Sequence, residues 1–156
     1  MQIIIGQNIW VKLGMEVLGY DPFMKEKTAV DGNVRMVESF DELIAQIDIV
    51  SFHVPKTEQT DGMLGTDQFA KARKGILVVN AARGGIVNEE ALIEALDSGK
   101  CAGAAIDVYH SEPPAGDHPF RSHPNVLATP HLGASTVEAQ EAVAVNACAS
   151  LLRYLQ

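Results

Sequence analysis

Cysteine is scarce in this chain, aromatic residues supply only 6% of it, and basic residues are outnumbered, with 12 Lys plus Arg against 20 Asp plus Glu. Each shortage excludes something. The two cysteines, Cys101 and Cys148, form neither a C-x-x-C metal pair nor a disulfide framework. Both sit among apolar neighbours and read as reduced, buried thiols of a cytoplasmic protein. A net charge of −8 repels phosphate backbones, so nucleic acid is not an expected partner. No apolar run approaches the roughly 18 residues that a membrane span needs. The opening MQIIIGQNIW has no basic stretch ahead of its apolar one, so neither a membrane partner nor a signal peptide is expected. No metal-ligand spacing links His53, His110, His118 and His123, which read as turn or surface histidines, and no metal is expected.

What is present is an ordinary globular balance, 47% apolar and 21% charged over 156 residues. One domain of that length buries roughly 68–70% of the surface its unfolded chain exposes. Short apolar runs alternate with longer amphipathic stretches. Residues 2–5, 16–20, 48–53, 76–80, 102–108 and 126–129 read as strands, nearly continuous in apolar character, as in parallel strands covered on both faces. Residues 39–46, 66–73 and 88–98 have helical spacing. In the last of these Asn88 is the predicted N-cap, Glu89 and Glu90 suit the positive helix end, and Gly99 stops the helix. Thr136 opens a longer helix over 136–155. Strand and helix in alternation predict an α/β domain with a mostly parallel sheet. The segment 110–125 holds four of the seven prolines and reads as a functional loop, a plain surface connection being the alternative.

Ligands of open α/β sheets bind beyond the carboxyl ends of the strands. The polar residues there are Asp21, His53, the run Asn80-Ala81-Ala82-Arg83-Gly84-Gly85, Asp107, and Thr129-Pro130-His131-Leu132-Gly133-Ala134, with Glu112 just past Asp107. A carboxylate at Asp21 suits an adenosine ribose diol and disfavours a 2′-phosphate, so NAD is expected over NADP; an Asp-Pro turn is the alternative. Arg83 precedes two glycines that permit close approach of a ligand, and its fork could hold a carboxylate in two-point contact. As a mere surface cation it would sit awkwardly beside a positive helix end. His131, between Pro130 and Gly133, is poorly placed for a core histidine. With a carboxylate such as Glu112 beside it, it becomes a proton donor and acceptor.

Read together, NAARGGIVNEEALIEAL, AGAAIDVYHSEPP and HPNVLATPHLGASTVEAQ resemble, in order and spacing, the D-isomer-specific 2-hydroxyacid dehydrogenases, from about Leu13 to Val145. The last string is most similar to the branch that acts on 3-phosphoglycerate. The resemblance implies a Rossmann-like, doubly wound domain that binds NAD and passes a hydride between the nicotinamide and C2 of a D-2-hydroxy acid. By position, Arg83 matches the arginine that holds the substrate carboxylate, Glu112 the acid that orients the histidine, and His131 the general acid/base. Asp21 matches the ribose-binding acid, and Val54 and Pro55 the adenine-side segment. Ala81, Ala82 and Asp107 match nicotinamide-side contacts, Gly133 and Ala134 the backbone near the carboxamide, and Arg83 and His131 border the cofactor as well. Asn88 stands where the family often has aspartate, an exchange between two good helix caps.

Two departures shape the expectations. The family's G-x-G-x-x-G turn after the first strand is reduced to Gly6, with seven residues before Gly14. Either a strand survives with a two-turn helix, which is the preferred reading, or residues 1–12 do something else. The fold class expected is therefore a single α/β domain over 1–156 with a shortened N-terminal βα unit. The family's substrate domain is also missing from the sequence, which reads as truncated at its N-terminus. Without that second wall the chain is expected to be a poor catalyst, because positioning is worth on the order of 7–11 kcal/mol of a barrier. The leading reading is an NAD-dependent oxidoreductase domain for a small-molecule D-2-hydroxy acid. The alternative is a non-catalytic nucleotide-binding or dimerisation remnant. A homodimer would use residues 100–155, with Val137, Val143, Val145, Leu151, Leu152 and Leu155 as the apolar contact, although burial of these against the chain's own sheet is the more ordinary explanation.

Overall fold

The computed structural model describes residues 7–22, 34–133 and 135–154. The elements run α1 (Gln7–Lys12), β1 (Val17–Gly19), β2 (Val34–Met36), α2 (Phe40–Ile44), β3 (Ile49–Phe52), α3 (Thr66–Lys71), β4 (Ile76–Asn80), α4 (Glu89–Asp97), β5 (Cys101–Ile106), β6 (Val126–Ala128) and α5 (Val137–Tyr154). The strands form two parallel sheets, β1-β2 and β3-β4-β5-β6. Parallel neighbours need crossovers, and α3 and α4 supply them for β3–β4 and β4–β5. The last crossover, from β5 to β6, is the proline-rich segment, which contains one turn of 3-10 helix at Pro119–Arg121.

Local chemistry sets these boundaries. Ser39 caps α2 by accepting the Glu42 N–H at 3.1 Å, and Asn88 caps α4 by accepting the Ala91 N–H at 2.8 Å. Gly99 takes φ 70° directly after α4, a left-handed step that ends the helix. Thr136 opens α5 by accepting the Ala139 N–H at 3.1 Å. The core lies between one face of the four-stranded sheet and the layer of α2, α3 and α4. There Ile44, Leu64, Ile76, Ile86, Leu92 and Phe120 are fully enclosed.

Several expectations need correction. Cover on both faces of the sheet is not found among the described residues: inward residues alternate with outward ones, leaving Leu77 at 40% and Leu127 at 69% exposure. The long C-terminal helix does form, yet none of its residues is buried, so its apolar side chains are not packed on the chain's own sheet. Cys148 lies on that helix and is exposed, whereas Cys101, on β5, is buried as expected. The strand β2 had no counterpart in the sequence reading, since three residues give too short a pattern to register. Of the N-terminal βα unit, the helical part is present as the six residues of α1. The strand assigned to 2–5 lies outside the described residues, as do Gly6, Ala134 and Leu155. No helix among the described residues is long and apolar enough to cross a membrane.

Candidate active site

Because β3, β4, β5 and β6 are parallel and adjacent, the segments that leave them meet along one edge in that order. His53, Val54 and Pro55 leave β3, and Ala81 to Arg83 leave β4. Asp107 to Glu112 leave β5, and Thr129 to Gly133 leave β6. Asp21 follows β1, in the smaller sheet. Rings connect the two: Tyr20 lies 6.4 Å from Phe40, and Phe40 lies 6.1 Å from Phe52 at the end of β3.

Asn80 closes β4 and is only 2% exposed, so both ends of its amide must be paired. Its oxygen accepts the Ala82 N–H at 3.1 Å and its nitrogen donates to the Arg83 carbonyl at 3.1 Å. One buried side chain thereby fixes the turn that presents Arg83. The Arg83 guanidinium donates to the Ala82 carbonyl at 2.6 Å and makes no ion pair among the described residues, so most of its five donors face outward. Gly84 follows because nothing larger fits. A Cβ built there would sit 1.6 Å from the Tyr109 carbonyl oxygen, so the β4 and β5 exits touch backbone to backbone.

His131 occupies the left-handed region at φ 56°, uncommon for a residue with a side chain and a form of strain met at functional sites. Asp107 holds it there. One carboxylate oxygen accepts the Thr129 hydroxyl at 2.5 Å and the Leu132 N–H at 2.8 Å, and the other accepts the Gly133 N–H at 3.1 Å. Burial pushes the Asp107 carboxyl up, but these three donors and the neighbouring His131 outweigh it and hold the group below the usual carboxylate range. Asp107 therefore clamps the turn that carries His131, a use that its expected nicotinamide-side contact did not include.

Glu112 meets His131 across the two loops, with Oε2 2.6 Å from Nδ1. Its other oxygen accepts the Tyr109 N–H at 3.0 Å. The bond from His131, assisted by that amide, holds the Glu112 carboxyl below its ordinary range. An ionised carboxylate only accepts, so the proton between them belongs to Nδ1 and the Nε2 lone pair is left to work outward.

The remaining expected positions are near but less engaged. Val54 is half-buried against the core, and the Pro55 carbonyl accepts the Thr60 hydroxyl at 2.7 Å. Ala81 is exposed and Ala82 half-buried. His53 is exposed and bonds Ser51 at 3.0 Å, and partial burial pushes its pKa down. His118 and His123 are turn histidines, though not surface ones, with side chains 14% and 13% exposed. No group of His, Cys, Asp and Glu among the described residues could hold a metal.

Asn80 had no role in the sequence reading. Its signal was available: a polar residue ending an apolar strand, followed by small residues and two glycines, has to pair with the turn it begins. The edge as a whole fits a dinucleotide, with a carboxylate beyond β1 for a ribose diol and small residues beyond β4 for close approach of a flat ring. A hydrogen-bonded histidine beyond β6 completes it.

Comparison with known proteins bears on this arrangement. The family model described as D-isomer specific 2-hydroxyacid dehydrogenase, NAD binding domain, matches residues 5–133. A D-3-phosphoglycerate dehydrogenase of Archaeoglobus fulgidus is 52% identical over 128 residues, which cover 82% of this chain and 24% of that protein. One from Bacillus subtilis is 45% identical over 141 residues, covering 90% of this chain and 26% of that protein. Among solved structures, the NAD-dependent formate dehydrogenase of Staphylococcus aureus in complex with NAD superposes with a TM-score of 0.75 at 36% identity. That match covers 88% of this chain and 40% of the other. The chain spans about a quarter of the length of the curated relatives it matches.

Proposed function

Because this chain belongs to the D-isomer specific 2-hydroxyacid dehydrogenases through their NAD-binding domain, we propose that it binds NAD and serves hydride transfer between the nicotinamide and a D-2-hydroxy acid. The observation that carries this reading is the 2.6 Å contact between Glu112 and His131, with Arg83 exposed at the adjoining β4 exit. The bound nicotinamide supplies the hydride acceptor or donor. His131 Nε2 would take the substrate's hydroxyl proton in oxidation and return it in reduction. Glu112 keeps Nδ1 protonated and stabilises the imidazolium that forms. Arg83 holds the carboxylate next to C2 in two-point contact and fixes which face of C2 is presented. Asp21 accepts from the ribose diol and selects NAD over NADP. Val54 and Pro55 border the adenine side, Ala81, Ala82 and Asp107 the nicotinamide side, and Gly133 and Ala134 the carboxamide.

The names of the relatives direct the substrate toward 3-phosphoglycerate. A homodimer in the cytoplasm completes the reading. Support for the dimer is the exposed apolar helix α5, where Val143 is 60%, Val145 67% and Leu152 61% exposed, and a helix apolar on so many sides is usually covered.

Titration of the purified chain with NADH, following nicotinamide fluorescence, with NADPH in parallel, tests the cofactor. Saturation favouring NADH is expected, and no binding up to millimolar concentration would refute it. Turnover of 3-phosphoglycerate, compared with other D-2-hydroxy acids, then tests the substrate. Sedimentation of the same sample tests the dimer.

A further inference from the structure

We infer that Tyr109 is a positioning residue that sets the distance between Glu112 and His131; the inference rests on the proton-transfer role proposed for that pair. Glu112 and His131 are brought together by two loops of different origin, one leaving β5 and the other leaving β6. Asp107 fixes the backbone of the His131 turn, but it makes no bond to Glu112. Tyr109 bonds to both sides. Its N–H donates to Glu112 Oε1 at 3.0 Å, and its hydroxyl donates to the Thr129 carbonyl at 2.9 Å, two residues before His131. One residue therefore spans the two loops, its backbone amide on the acid and its side-chain hydroxyl on the turn before the histidine.

The span works only if Tyr109 itself is immobile, and three contacts make it so. The residue is 4% exposed within the core. Its carbonyl oxygen presses on Gly84, the neighbour of Arg83, at a separation that admits no Cβ. Its ring meets His118 edge-on, with centroids 5.4 Å apart, and Phe120 at 6.4 Å. His118 is fixed in turn. Nδ1 accepts the Phe120 N–H at 3.3 Å, which leaves the proton on Nε2, directed at Glu89 Oε2 at 3.3 Å. The other oxygen of Glu89 accepts the His110 N–H at 2.7 Å, next along the chain from Tyr109. Burial, reinforced by the nearby Asp107, pushes the Tyr109 hydroxyl pKa up, so it stays a donor throughout the neutral range.

A buried tyrosine with a satisfied hydroxyl could also be packing alone. The two roles separate on the tautomer of His131. The full chain, labelled with 15N at histidine, is followed by long-range 1H–15N spectra at a pH where His131 is neutral. Glu112→Gln in the same spectra assigns the signal, because it removes the charge that keeps the proton on Nδ1. Wild type should show the Nδ1–H form in clear excess. In Tyr109→Phe, which removes only the oxygen, the share of the Nε2–H form should rise between about two- and tenfold, the range set by one neutral hydrogen bond. An unchanged share, even with a lower melting temperature, would overturn the positioning role and leave Tyr109 as core. An even mixture already in wild type would overturn the Glu112–His131 pairing, and with it the proton-transfer reading on which this inference stands.

Discussion

Replacing Asp107 by asparagine removes one charge and one acceptor oxygen from a site where three donors converge. The Thr129 hydroxyl can turn away, but the Leu132 and Gly133 amides are fixed by the turn, and an asparagine would set its own NH2 against one of them. Hydrogen bonds to a charged acceptor contribute about 1.5–3 kcal/mol each, so the loss of one, partly relieved by rotation, costs about 2–3 kcal/mol. For a chain of this size that lowers the melting temperature by about 4–12 °C. The pH dependence identifies the cause. The Asp107 carboxyl lies below its ordinary value of 3.8 when folded, so its contribution is complete above pH 3.8 and is lost as pH falls through the lower folded value. Urea midpoints of wild type and Asp107→Asn, read by circular dichroism from pH 7 to pH 3, should differ by a constant amount down to about pH 4 and converge below it. Glu112 titrates in the same region and the Asp107 charge pushes its carboxyl up, so both proteins are compared in a Glu112→Gln background, where that titration is absent. A gap that persists unchanged at pH 3, or a melting temperature lowered by less than about 2 °C, would refute the clamp.

Three further outcomes follow from the same geometry. Gly84→Ala places a methyl group on the Tyr109 carbonyl, where only backbone can yield, and should destabilise the fold by about 1–3 kcal/mol in urea titration; a neutral effect would show that the two exits do not touch. Arg83→Ala, in whatever assay shows turnover, should lower kcat/KM by about 10²–10³-fold, far more than Asp21→Ala, and equal losses would remove Arg83 from its role. Asp21→Ala should narrow the preference for NADH over NADPH in the fluorescence titration, while an unchanged ratio would count against the ribose contact.

The elements that could be read from sequence are those whose pattern is long enough to be unambiguous. ILVVN gives β4 to the residue, and the Asn88 cap with Gly99 brackets α4 between its true ends. Three-residue strands such as β2 leave no periodicity to find. The alternation of inward and outward residues in β4 was hidden by Leu77, which is apolar yet faces away from the core. Helix α5 shows a converse limit. Its apolar content pointed to burial, but a sequence cannot say whether the covering surface belongs to the same chain. In the site, the chemical types of Arg83, Glu112 and His131 were legible, and so was the loop that carries Glu112. The 2.6 Å contact was not, because it depends on how β5 and β6 register and on Asp107 holding the next turn. One missed pattern was open to chemical reasoning. In both His118-Pro119-Phe120 and His123-Pro124-Asn125 the proline has no N–H, so the ring Nδ1 takes the N–H of the residue after it, at 3.3 and 3.1 Å.

The division of the strands into two sheets has a bearing on how such a protein changes over generations. Asp21 follows β1 of the two-stranded sheet, whereas Arg83, Glu112 and His131 lie on the segments that leave β4, β5 and β6 of the other. No strand pairing joins the two sheets among the described residues, and the rings of Tyr20, Phe40 and Phe52 form a contact that many apolar side chains could replace. If these residues act as proposed, choice of nucleotide and movement of the proton are written in separate stretches of the gene. A single recombination between them can exchange one property while handing on the other intact, so lineages that differ in coenzyme can keep the same acid–base machinery.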